Sequence, residues 1–357
     1  MTLMVNMMIN LDRSLIERVL KKLEETDEKD LLNNHVVLLP DFFVDHFLTL
    51  DEFENNFSKI KDIYLRGGGN LPEIPQKISQ GGNSANTALA LAKLGFSSHL
   101  ICRTDKLGMH ILEHFLRKNG VDISHVKTDG RLAITAAFEF GERRTNIMIG
   151  DTGSVSDFSF EILDEKDKDL ISKSDMVCIT TWNLNKNGTD LARKIFEFAK
   201  KHNTRTFFDT GDPAPRKDEI PYLIKNVLTD KNLDILGLNE NELLHYSNIK
   251  TSSVEDVVNA ATSLKKKIHA RIDLHTTDFA CTIDKKFTIV PAPEIIKKCR
   301  STGAGDAWNA GNIFADILGF KEDERLFFAG SVAAYYISFP EPVHPTLNEM
   351  IKFIGKI

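Results

Sequence analysis

Residues 81–120 read GGNSANTALALAKLGFSSHLICRTDKLGMHILEHFLRKNG, and this stretch holds one complete structural alternation. Gly81-Gly82 open a turn, apolar residues at helical spacing run from about Ser84 to Leu94, and Gly95 supplies the stop that a helix end favours. SHLICRT is then a short apolar run of the kind found in strands buried on both faces. LGMHILEHFLRKNG returns to helical spacing. Strands alternating with helices in this way predict a parallel sheet covered by helices on both sides.

The same rhythm extends in both directions. Upstream, HVVLLPDFFVDHF predicts a buried strand ended by Pro40, with Asp41 and Asp45 just past it. Ser14 and Glu17 form a capping box before Leu15, Ile16, Val19, Leu20 and Leu23, which predicts an additional helix packed on the body. The charged stretch EETDEKD closes that extension, so residues 1–30 are read as a helical extension and 31–357 as the main domain. Downstream, DMVCITT, GTDLARKIFEFAKKH, RTFFDTG, LDILGLNENELLHY, VEDVVNAATSLKKK, RIDLHTT and FACTID continue the alternation. Two segments break it. From about 47 to 80 the pattern loosens, with RGGGNLPEIPQ a loop by composition. RLAITAAFEFGERRTNIMIG reads as a hairpin turning near Gly141-Glu142. Segments of about 47–79 and 131–149 are expected to pair as a small β lid over the main sheet.

Composition sets the class. The chain has 357 residues, 42% hydrophobic and 27% charged, as expected of a globular protein with a full core. Its net charge of −6 gives no bulk attraction to nucleic acid or anionic membrane. The four cysteines (102, 178, 281 and 299) form no C-x-x-C, and with no basic n-region in MTLMVNMMIN the reading is cytoplasmic, without a membrane span.

In open α/β sheets ligands bind beyond the carboxyl ends of the strands. Asp41, Asp45, Gly81-Gly82, Asn239 and the turn in STGAGDAWNAG (301–311) all fall just after predicted strands. Gly303, Ala304 and Gly305 are compatible with an ordinary turn before a buried helix. They are equally compatible with an anion site, in which uncrowded N–H groups and the positive helix end face a charged group. An acid at Asp306 would then be a candidate base for a hydroxyl attacking phosphorus. No P-loop, no G-x-G-x-x-G after the first strand and no zinc spacing are present.

The three motifs GGNSANTALALAKLG, LNENE and STGAGDAWNAG, in that order, resemble the signatures of the PfkB, or ribokinase-like, carbohydrate kinases. PDFFVDHF is similar to that family's G-D-x-x-x-D strand end, with Pro40 in place of glycine, and the resemblance spans roughly residues 36–340. It implies a three-layer α/β/α sandwich with a mostly parallel central sheet and a small β lid. It also implies ATP- and Mg²⁺-dependent phosphorylation of an exocyclic hydroxyl on a sugar, sugar derivative or nucleoside. On this resemblance Asp306 is the catalytic base and Gly303, Ala304 and Gly305 are the anion hole. Asp41, Asp45, Gly81, Gly82, Asn83 and Asn86 contact the substrate. Asn239 and Glu242 hold hydrated magnesium, while Asn239, Thr276, Thr302 and Gly305 meet the nucleotide. Lid strands in the family often pair between subunits, so a homodimer through the lid is an expectation.

Three departures accompany the resemblance. Arg300 stands where the family writes an aspartate that helps to bind an activating monovalent cation, so the chain is expected to replace that ion with its own charge. The nucleotide turn has DLHTTDFAC, with no glycine, leaving His275, Thr276 and Thr277 as its candidates. The RGGGN segment has no family role; Arg66 with Gly67, Gly68 and Gly69 is read either as a disordered lid edge or as a candidate to close on a substrate's charged group. The alternative function is a non-catalytic sugar- or nucleoside-binding protein on the same fold.

Overall fold

Val36, Val37, Leu38 and Leu39 are fully buried in β1 (His35–Leu39), as a strand covered on both faces requires. Val36 and Leu38 face one apolar layer, and Val37 and Leu39 face the other. The structure, a computed structural model, describes residues 12–141, 145–249, 253–295 and 297–357. β1 lies between β4 (Ser97–Leu100) and β7 (Met176–Ile179), and parallel pairing continues through β8 (Arg205–Asp209), β9 (Ile235–Asn239) and β10 (Arg271–His275). β11 (Phe279–Ile283) and β12 (Phe287–Pro291) add an antiparallel edge, giving the order β12-β11-β10-β9-β8-β7-β1-β4. The sequence reading omitted β12, a five-residue run too short to show a period.

Helices α1 (Arg13–Glu24), α3 (Asn83–Leu94), α4 (Lys106–Phe115), α9 (Ala304–Ile317), α10 (Glu322–Ile337) and α11 (Leu347–Ile354) bury their apolar sides on one face. Helices α5 (Glu165–Lys173), α6 (Gly188–Lys201), α7 (Glu240–Ser247) and α8 (Val254–Lys265) do so on the other. The result is a three-layer α/β/α sandwich with a mostly parallel sheet, as expected. α1 docks on the body through Leu15, Val19 and Leu23, and Arg18 pairs with Glu324 of α10 at 3.2 Å. Its cap differs from the predicted capping box. Asp12 accepts from the Ser14 N–H at 3.0 Å, so Ser14 lies inside the first turn.

After Leu39 the chain leaves the main sheet through a cis peptide to Pro40 and enters a second, four-stranded sheet of order β3-β2-β5-β6. Its strands are β2 (Phe43–Leu50), β3 (Gln76–Gly81), β5 (Ala133–Phe140) and β6 (Thr145–Asp151). The expected hairpin is β5–β6, with Gly141 at φ +62°; Glu142 of the predicted turn is outside the described residues. The reading of residues 47–80 as loosened is corrected. They contain the second half of β2, helix α2 (Phe53–Leu65) and most of β3. α2 keeps most of its surface exposed, with Asn56 buried and Phe53 and Phe57 packed against Phe140. Consequently Asp45 belongs to a strand of the small sheet and does not lie in a loop after β1.

Candidate active site

Asp306 occupies the first turn of α9, and Asn86 occupies the first turn of α3; the two helices bring their N-terminal ends together. The Asn86 amide donates to Asp306 Oδ2 at 2.9 Å, in a pocket where Asp306 is 7% exposed. Burial drives the Asp306 pKa well above the ordinary carboxylate value. The Asn86 bond pulls it back, and the charges of Asp209, Asp41 and Asp45 push it up again. Asp209, Asp41 and Asp45 thus lie near enough for their charges to act on Asp306.

The turn before Asp306 has the geometry of an open donor site. Gly303 adopts φ +84°, and a Cβ there would lie 2.5 Å from the Tyr336 hydroxyl, so the position requires glycine. The first helical bond is Ala307 N–H to Gly303 O at 3.1 Å, which leaves the N–H groups of Gly305 and Asp306 ahead of the ladder. Ala304 differs from them: its N–H closes onto the Ser301 carbonyl at 3.1 Å. Thr302 accepts from Asn146 of β6 at 3.1 Å, a direct bond between the small sheet and this turn.

The acids predicted for a polyol diverge in role. Asp41, 1% exposed, accepts from Asn83 N–H at 2.8 Å and Ser84 N–H at 3.0 Å, so it caps α3 from a distance in sequence. Gly82 precedes these amides at φ +96°, and a Cβ there would approach Asp41 Oδ2 to 3.0 Å. Asp45 crosses from β2 over Gly81, where a Cβ would lie 2.1 Å from its carboxylate. Burial lifts the Asp45 pKa to about 6, against the hydrogen bond from Thr135 and the charge of Arg300. Asn83 also holds the Thr180 carbonyl at 2.9 Å, tying the end of β7 to the same place.

On the opposite side, Asn239 and Glu242 form a mutual cap of α7. Asn239 N–H donates to Glu242 Oε2 at 2.9 Å, and the Glu242 N–H returns to Asn239 Oδ1 at 3.0 Å. A solvated helix start would expose the acid; Glu242 is 3% exposed. Burial raises its pKa well above normal, and Asp209 and Asp212 add to that. Among the described residues no three or more His, Cys, Asp or Glu side chains gather closely enough to cage a metal. The Asn239 amide and the Glu242 carboxylate are oxygen donors of the kind a hard divalent ion takes.

Asp209 was not singled out in the sequence. It ends β8 just as Asn239 ends β9, accepts from Gly211 N–H at 2.9 Å and Asn309 at 2.6 Å, and its burial raises its pKa. The signal was present in RTFFDTG, an acid directly after a buried strand. His275 ends β10 with burial lowering its pKa to about 4, and it lies against Trp308 with ring centroids 4.8 Å apart. Thr276 spends its hydroxyl on the β10–β11 turn, accepting from Phe279 N–H at 3.0 Å. The Arg66 guanidinium folds back to the Gly68 carbonyl at 3.3 Å on the surface. Phe42 and Phe43 are buried in the apolar core.

Comparison with known proteins finds similar chains. The profile of the pfkB family carbohydrate kinases matches residues 48–338. A 5-dehydro-2-deoxygluconokinase of Clostridium perfringens is 26% identical over 289 residues, 77% of this chain and 84% of that protein. A ribokinase of Haemophilus influenzae is 24% identical over 298 residues, 82% of this chain and 92% of that protein. The structure of Arabidopsis thaliana ribokinase complexed with ribose and ATP superposes with a TM-score of 0.73 at 18% identity, covering 90% of this chain and 98% of that one.

Proposed function

The chain belongs to the pfkB family of carbohydrate kinases, and from that premise we propose that it transfers the γ-phosphoryl group of ATP to an exocyclic hydroxyl of a sugar, sugar derivative or nucleoside. The observation that carries this reading is the Asn86–Asp306 pair at two converging helix N-termini, beside donors left open by Gly303.

In the proposed reaction the acceptor hydroxyl lies against Asp306, with Asp45 and Asn86 fixing its neighbours. Asp306 takes the proton as the hydroxyl oxygen bonds to phosphorus and the bond to the ADP oxygen breaks. A carboxylate with a raised pKa is the stronger base, which suits this transfer. The N–H groups of Gly305 and Asp306 face the charge of the moving group, supported by the α9 dipole. The donor nucleotide lies toward Asn239, Thr276 and Thr302. Magnesium, when bound, neutralises phosphate charge, and Asn239 and Glu242 would hold it through its waters. That ATP is the donor is supported by the similar ribokinase, which was solved with ribose and ATP.

We assign the small sheet to a lid that excludes water, with the Asn146–Thr302 bond as its contact to the anion turn. Register places Asp45, Ser79 and Thr135 on its inner side and His46, Ile78, Ala136 and Ile149 on its outer side. Ile78, Ile134, Ile147 and Ile149 expose 44–62% of their surface there, which supports a homodimer joined through the lids. The four cysteines are free, in keeping with a cytoplasmic enzyme.

The test is ATP consumption with Mg²⁺ across pentoses, hexoses, sugar acids and nucleosides, with the product examined by phosphorus NMR. Transfer to one class of acceptor is expected. Binding of a sugar with no phosphorylated product under any nucleotide would refute the proposal.

A further inference from the structure

Tyr336 stands near the end of α10, and α10 lies hard against α9: a Cβ on Gly311 of α9 would come within 2.9 Å of the Ala329 backbone. That close approach carries the Tyr336 side chain to the cap of α9. Its hydroxyl faces Gly303, 2.5 Å from where a Cβ would stand, at the turn whose Gly305 and Asp306 N–H groups lie ahead of the helical ladder. Tyr336 is 2% exposed, yet among the described residues its hydroxyl has no hydrogen-bond partner. A buried hydroxyl left unpaired is costly unless a ligand completes it. The oxygen is not one of the polar atoms sealed off from solvent, so the residual opening of the side chain reaches it.

Two neighbours hold the ring. His344 stacks on it with centroids 4.6 Å apart and planes 24° apart, and the Arg300 guanidinium lies 4.8 Å from its centroid. The Cys299 N–H donates to the Ile337 carbonyl at 2.8 Å, which ties the Arg300 segment to the end of α10. A ring fixed in this way presents its hydroxyl at a set place and has little rotamer freedom left to lose. Burial, with the charges of Asp306 and Asp45, pushes the Tyr336 pKa up to about 12 against the pull of Arg300, so the phenol keeps its proton and serves as a donor. The turn is short of such a group. The Ala304 N–H expected in the anion hole is spent on the Ser301 carbonyl, and ionised Asp45 and Asp306 only accept hydrogen bonds.

We propose that Tyr336 is a further catalytic residue of the phosphoryl transfer, its hydroxyl donating to a non-bridging oxygen of the moving group beside the Gly305 and Asp306 N–H groups, with His344 as its positioning residue. The inference rests on the kinase reading above and adds to that site a donor that lies in none of its motifs. Tyr336 makes and breaks no covalent bond: the phenol keeps its proton while the acceptor oxygen bonds to phosphorus and the ADP oxygen leaves. A donor aimed at charge in transit acts on kcat more than on binding of the resting substrates.

Tyr336→Phe, which removes only the oxygen, tests it with the acceptor that responds in the ATP-consumption panel. A fall in kcat of ~10-fold or more is expected, with KM for acceptor and ATP little changed. In calorimetry, ADP with aluminium fluoride and Mg²⁺, a mimic of the phosphoryl group in transit, should bind the variant more weakly by a similar factor, while ADP alone binds both proteins equally. His344→Ala, which frees the ring, should lower kcat several-fold, and His344→Phe, which keeps the stack, should recover most of it, with thermal melts confirming folded protein. A loss confined to acceptor KM would overturn the assignment, since the hydroxyl would then serve the resting acceptor. A wild type that turns over no acceptor and does not bind ADP with aluminium fluoride would defeat the kinase reading and this inference together. An active wild type whose kcat Tyr336→Phe matches would defeat this inference alone.

Discussion

The Asn86 amide on α3 reaches the Asp306 carboxylate on α9 across 2.9 Å, joining two helix N-termini that are 220 residues apart in sequence. A hydrogen bond to the charged form favours ionisation, so Asn86 opposes the burial and the three neighbouring acids that raise the Asp306 pKa.

Asn86→Leu should therefore raise the Asp306 pKa further. The acid limb of the kcat/KM pH profile would move up by roughly one unit, because a base must be ionised to act. An unmoved limb in a folded variant would detach Asn86 from the proton transfer.

Asp45 gives a stability test with a definite sign. Its pKa rises from 3.8 when unfolded to about 6 when folded, so the folded state binds that proton more tightly. The resulting stability is whole below the unfolded value and is lost as pH rises through the folded one. Asp45→Asn should then gain on the wild type as pH goes from 4 to 7, by roughly 3 kcal/mol at most. Parallel stability curves for the two proteins would show that Asp45 is not buried as described.

Gly303→Ala forces a left-handed alanine into the Tyr336 hydroxyl. A loss of ~2 kcal/mol or more in stability is expected, with phosphoryl transfer reduced alongside. Adding Tyr336→Phe should return part of the stability, since the clash is with that oxygen; strict additivity of the two changes would rule out the contact.

Much of the fold was legible because its strands are short, apolar and separated by well-capped helices. α3 with its Gly95 stop and the β1 to β11 alternation follow from local pattern alone. The small sheet was less so. Its strands mix polar and apolar residues, and β2 pairs with β5 across more than eighty residues. Among the site residues, Asp306 and Asn86 are carried by motifs, whereas Asp209 ends a strand without one. Tyr336 and His344 were invisible because only tertiary packing brings α10 and the following loop against Gly303 and Arg300.

Arg300 carries a permanent charge onto the Tyr336 ring and lowers the Asp45 pKa. Replacing choline chloride by potassium chloride at fixed ionic strength should leave the rate unchanged. A several-fold potassium stimulation would mean that Arg300 does not substitute for a bound ion.

The most direct test of the account is phosphorylation by Asp306→Asn measured beside the wild type, with acceptor affinity determined on both. A fall in kcat of ~10²–10⁴-fold or more is expected, with acceptor affinity retained, because the amide keeps the shape and loses the base. Equal turnover by the two proteins would contradict the assignment of Asp306 as the group that takes the proton.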